Sequence, residues 1–193
     1  MAPPRTLLSR RRALTLAACA VSVFFFHPIF DPLRAQQRES ALSDGEVEKL
    51  RDTAYYPPDR VMAFIEFLDQ RTKAIDKLCT GKRQPGREQD IHDLMEQFSS
   101  IAGDFDDNLD DYSQHHRDVR KVLPKVIAAA ERWGTALRTP PEDEAYSISR
   151  KLALEALADI KESATKMVDE QKAWFLAHPP PKDDGSKPAP RSL

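Results

Sequence analysis

Glycine is scarce in this chain, at six residues in 193, and cysteine is scarcer, at two. The glycines sit mostly at segment boundaries. Gly81 and Gly86 bracket a basic loop, but no G-K-[S/T] follows, so there is no phosphate-cradling loop. Cys19 falls inside the N-terminal segment treated below, so Cys79 stands alone in the body of the chain. No internal disulfide is open to it, although exported proteins often use them. Cys79 closes an apolar face with Ile75 and Leu78 and reads as a small buried hydrophobe, not a redox or metal residue. Alternating apolar and polar runs of β-branched residues are also missing, which argues against a sheet. Catalytic signatures are missing too. The chain has no G-x-S-x-G elbow, no H-E-x-x-H zinc helix, no C-x-x-C-H haem attachment and no calcium-loop spacing. These absences lean away from an enzyme.

What is present begins with the first 35 residues. Arg5, Arg10, Arg11 and Arg12 give a positive start. Ala13 to Phe26 is an uncharged apolar run, and Leu33-Arg34-Ala35 offers a small residue before Gln36. Charge, apolar stretch and small-residue site come in the order of a secretory signal. The run is short for a membrane span, which needs about 20 residues. Two rivals read the same residues differently. Ile29 and Phe30 extend the apolar segment toward an uncleaved anchor, interrupted by His27 and Pro28. Leu16-Ala17-Ala18-Cys19 resembles a bacterial lipobox, whose Cys19 would be lipidated. Ser9 to Leu14 also resembles a twin-arginine signal, with Ala13 where a bulky apolar residue is usual. All of these place the body of the protein outside the cytoplasm, in the periplasm or secreted. Contact with a membrane would run only through an uncleaved N-terminus or a lipidated Cys19.

The removed segment holds five arginines and one aspartate. It leaves 158 residues with 24 basic and 30 acidic side chains, a net charge of −6. One domain fits that length. The acidic balance argues against nucleic acid as a partner, since phosphate backbones want a basic surface.

The rest reads as helices. Ser43 and Glu46 have capping-box spacing and open a short helix to about Ala54. Tyr55-Tyr56-Pro57-Pro58 stops it, because the residue before proline avoids helical angles. Pro58 suits the first turn of a second helix, whose face is Val61, Phe64, Ile65, Leu68, Thr72, Ile75 and Leu78, ending at Thr80-Gly81. A third starts near Arg87, with Ile91, Met95, Phe98, Ile101, Phe105, Leu109 and Tyr112 on one face. Gly103 within it suggests a close helix contact. The same pattern runs on through Val126, Trp133 and Leu137, but Pro124 predicts a kink or break between Gln114 and Pro124. Thr139-Pro140-Pro141 is a connector. Glu142-Asp143-Glu144 then puts negative charge at the start of a last helix of about 35 residues, spanning about 50 Å. That helix carries Tyr146, Leu152, Leu157, Ile160, Met167, Trp174 and Phe175. The prediction is an all-α, up-down antiparallel helical bundle over 36–178, with long helices and one kinked near Pro124. Short loops imply that consecutive helices are neighbours. Residues 179–193, rich in proline and charge, read as a disordered tail.

The most unusual stretch is Glu88 to His116. It holds nine carboxylates, three of the five histidines and no lysine or arginine. His92 and Glu96 share one helix face, and Asp107, Asp111 and His115 share another. Together with Asp118 they form a candidate divalent-metal set, since imidazole and carboxylate on one face suit such an ion. The competing and stronger expectation is a solvated acidic face, because the apolar stripe turns elsewhere. The chain is therefore read as an exported, non-enzymatic binding or envelope-associated module with a protein or envelope partner. The alternative is a periplasmic metal-binding or sensing bundle.

Overall fold

The computed structural model describes residues 41–179. The export signal, its Cys19 and the tail from residue 180 lie outside the described residues.

Helix α1 (Asp44–Asp52) opens on the expected capping box. The Glu46 amide donates to the Ser43 hydroxyl at 3.4 Å, and the Ser43 amide donates to the Glu46 carboxylate at 2.8 Å. Helix α2 (Pro57–Thr80) begins at its proline pair, where a missing N–H costs nothing. Gly86, at φ +85°, makes the left-handed turn into α3 (Arg87–Gln114), a conformation that favours glycine.

Between Gln114 and Leu123 the helical pattern is broken, not kinked. His115 to Val122 form a separate link, and Pro124 sits in the first turn of a new helix, α4 (Leu123–Arg138). A proline that would disrupt a helix interior is tolerated in a first turn. The last helix also starts later than its acidic triplet. Asp143 caps a short 3₁₀ turn (Glu144–Tyr146), accepting from the Ala145 amide at 2.9 Å, and α5 runs Ser147–Ala177. Arg150 fixes that corner. It donates to the Pro140 and Pro141 carbonyls at 2.7 Å each and pairs with Glu142.

Each of α2 to α5 reverses the direction of the one before, so the bundle is up-down and all-α. Which helices touch is set differently from the expectation. Arg60 meets Asn108 and Arg71 meets Gln97, so α2 and α3 are antiparallel neighbours. Lys161 meets Glu131 and Leu157 meets Gly134, so α4 and α5 are too. But α5 also packs along α3, with Ser113 donating to Glu170 near their shared C-terminal end. Those two run parallel. Helices α3 and α4 lie across the diagonal and meet in the core, Phe98 edge-on to Trp133 at 6.0 Å between centroids. The eight-residue link allows this. It can reach about 26–29 Å, against a helix spacing of about 8–10 Å.

The core is filled. Trp133, Phe98, Phe105, Ile101, Leu109 and Ile160 are fully buried. The Trp133 indole donates to Asp69 at 2.7 Å, which satisfies its one polar group. The close helix contact falls at Gly134, not Gly103. A Cβ at Gly134 would sit 3.3 Å from the Leu157 side chain, while one at Gly103 would meet nothing within 4 Å. Leu152 is half exposed, and Trp174 and Phe175 are half-buried, not core. Among the described residues, no helix is long and apolar enough to cross a membrane.

Candidate functional site

The described residues offer concavities at the surface. Two concavities stand out there. The larger, about 630 Å³, is a shallow groove beside α1 and α2. Most of its charges are paired, with Lys49 on Glu66 and both Lys73 and Arg132 on Asp69. The second, about 300 Å³, is a cleft between α3 and α5. Five carboxylates line it (Asp106 and Asp110 from α3; Asp159, Glu162 and Glu170 from α5). The lining holds a single basic group, Lys166, which lies 3.8 Å from Glu170.

Parallel packing creates this cleft. The acidic half of α3 meets an acidic run on α5 because both helices point the same way. It also brings two helix C-termini together, where the peptide dipoles favour cations. Neither helix has a lysine or arginine in its last turn. One carboxyl of the lining is shifted, chiefly by burial, and Asp104 outside it is shifted too. Burial pushes Asp106 above the ordinary aspartate range; Ser163 partly offsets this, and Asp110, Asp159 and Asp107 add to it. Burial, and then Asp107, push Asp104 up as well. One oxygen of Asp106, Oδ1, is buried and finds no hydrogen-bond partner among the described residues.

The residues singled out by sequence are spread along one helix and its exit. His92 lies 3.6 Å from Glu96 and 3.1 Å from Asp93. His115 lies 3.0 Å from Asp111. Asp107 is exposed, and Asp118 is held by Arg120, whose guanidinium lowers its carboxyl below the usual range. The set gives two local pairs and no common centre. Among the described residues, no group of three or more His, Cys, Asp or Glu side chains is placed to hold a metal ion. Sequence spacing missed Asp159, Glu162 and Glu170, because it sees neighbours on one helix and not the helix beside it. Cys79 is half-buried against the core, and burial raises its thiol.

No family model, no curated protein and no solved structure matches this chain.

Proposed function

We propose that this protein is a non-catalytic binding module that takes a cationic partner along the α3–α5 cleft. The observation that carries the reading is the cleft's charge. Five carboxylates from two parallel helices face one lysine, and like charges gathered in one cleft disfavour the ionised form of each. Local rules broken in this way tend to mark functional sites, since the cost is borne for something other than stability. A lysine- or arginine-rich segment of another protein supplies the missing charge and lowers that cost on binding. Electrostatic complementarity of this kind chiefly sets association rate and partner choice. The N-terminal segment adds the setting: an export signal ending at Ala35, with the module acting in the periplasm or beyond.

A calorimetric titration with a tetralysine peptide at low salt tests the site. Binding should weaken as salt rises and vanish in the D106N/D110N/D159N variant, which keeps side-chain volume while removing three charges. Unchanged binding in that variant, or none in the wild type, would sink the reading. Mass spectrometry of exported material tests the setting, with loss of Met1 to Ala35 expected. A lipid on Cys19 or an intact membrane-bound N-terminus would replace it with the lipobox or the anchor. The metal-binding alternative rests on the His92–Glu96 and Asp111–His115 pairs. A tight, stoichiometric divalent-cation isotherm lost in H115A would favour it.

A further inference from the structure

The corner between α1 and α2 turns large rings outward. Tyr55 is 89% exposed and Tyr56 65%, with Pro57 and Pro58 directly after them. A turn that packed these rings onto the bundle would bury them, and this one does not. Met62, one turn into α2, is also partly exposed, and with Asp59 it lines the groove beside α1 and α2. The Arg60–Asn108 bond sets the start of α2 beside the C-terminal part of α3, and the Ser113–Glu170 bond sets the C-terminal part of α5 there too. The tyrosine corner and the exit of α5 therefore share one end of the bundle. Leu176, 83% exposed, adds a third open apolar group at that end. Trp174 is covered instead: His116 and His178 stack on it, at 4.3 Å and 4.5 Å between centroids.

Helices α2 and α5 face each other across one diagonal of the bundle, about 11–14 Å apart at ordinary helix spacing. The His115–Val122 link follows the other diagonal at this end, from α3 to α4, so it runs between them. The sequence after His178 has five prolines in 15 residues. At the polyproline II rise of about 3.1 Å per residue, Lys187 can reach about 28 Å from His178, well past that diagonal. Charge is ordered to match. Along the segment, Asp183 and Asp184 come first, and Lys187 and Arg191 come last. Along the end of the bundle, the link offers Arg117 and Lys121, and the tyrosine corner beyond it offers Asp52 and Asp59. All four are exposed, and none has an ion pair among the described residues.

We propose that this end of the bundle is a docking surface for the chain's own segment 179–193, which crosses the link and sets its prolines on Tyr55 and Tyr56. Proline against aromatic rings is how polyproline strands are recognised, because their backbone is preformed and loses little entropy on docking. A segment too polar to build a core needs none for this. Tethering at His178 raises its effective concentration to the millimolar range, so weak contacts suffice. The N-terminal segment is the poorer occupant. It joins at Ala41, whose carbonyl accepts from Arg71, about 21 Å along α2 from the tyrosine corner. The surface shares no lining residue with the α3–α5 cleft, so the inference holds whatever the cleft binds.

Trypsin digestion of the full chain, followed by mass spectrometry at the Arg191–Ser192 bond, tests the docking. Cleavage there tracks the population in which the segment is undocked. The rate should rise about five-fold or more in Y55A/Y56A, where two aromatic contacts are lost, and stay at the wild-type value in Y55F/Y56F. It should not change with protein concentration. Both tyrosines are exposed, so their loss leaves the core intact, and circular dichroism of each variant checks that the helices persist. Equal cleavage in wild type and Y55A/Y56A overturns the proposal. Protection that grows with protein concentration also overturns it, in favour of the segment of a second copy. So does protection kept in Y55A/Y56A and lost in D106N/D110N/D159N, which would put the segment in the α3–α5 cleft.

Discussion

Replacing Glu46 by glutamine should detach α1 from the bundle without unfolding it. Glu46 and Arg71 form a buried ion pair, with side chains 9% and 11% exposed. The guanidinium nitrogens Nη1 and Nη2 both donate to the carboxylate. The same carboxylate receives the Ser43 amide, so one side chain both caps α1 and docks it on α2. Breaking one partner of a buried pair costs about 3–5 kcal/mol when the other is left uncompensated. Here Arg71 keeps the Ala41 carbonyl and the Gln97 amide oxygen, and glutamine still offers an acceptor. The expected loss is therefore nearer about 1.5–3 kcal/mol, the range for hydrogen bonds to charged groups. Few other contacts hold α1. The principal ones are Leu50, a bond from Arg60 to the Leu50 carbonyl, and the exposed Lys49–Glu66 pair, which contributes little. The loss should appear as local opening. In E46Q, hydrogen exchange at α1 amides such as Leu50 should accelerate about tenfold or more, while Ile101 in α3 stays protected. Acid should act in the same direction. Burial alone would raise the Glu46 carboxyl, but the bonds from Arg71 and Ser43 outweigh it and hold it below the ordinary glutamate value. The stabilisation is thus complete above that ordinary value and is lost as pH falls through the depressed one. Equal exchange of α1 in E46Q and wild type would refute the reasoning.

Three further outcomes are expected. Asp106 acts with the opposite sign. Its raised carboxyl stabilises the fold when protonated and loses that as pH rises through the raised value, so D106N should stabilise the fold at neutral pH by no more than about 1 kcal/mol given solvent screening, read as a higher urea midpoint. That advantage should disappear below the ordinary aspartate range. Q171A strips partners from the Val119 amide and the Arg117 carbonyl and should cost about 1–3 kcal/mol in urea unfolding. H115A and D111A, at an exposed pair, should each shift stability by less than about 0.5 kcal/mol, and chelator should leave the melting curve in place. A chelator-dependent drop lost in either variant would speak for a metal.

Sequence alone settled the helices, because capping and periodicity are properties of neighbours along the chain. Ser43 and Glu46, the Val61-to-Ile75 stripe and the Ile91-to-Tyr112 stripe each became the element their spacing predicted. It also located the acidic helix. What it could not supply was adjacency. A break at His115–Val122 and a kink near Pro124 leave the same apolar pattern, yet only the break lets α4 fold back across the diagonal and frees a place for α5 beside α3. From that one choice follow the cleft that pairs Asp106 with Asp159, the Gly134–Leu157 contact and the seating of His116 on Trp174. Each depends on residues about 23 to 58 positions apart meeting through the tertiary fold. Periodicity names the face a helix buries; packing geometry and the reach of the link decide which helix covers it.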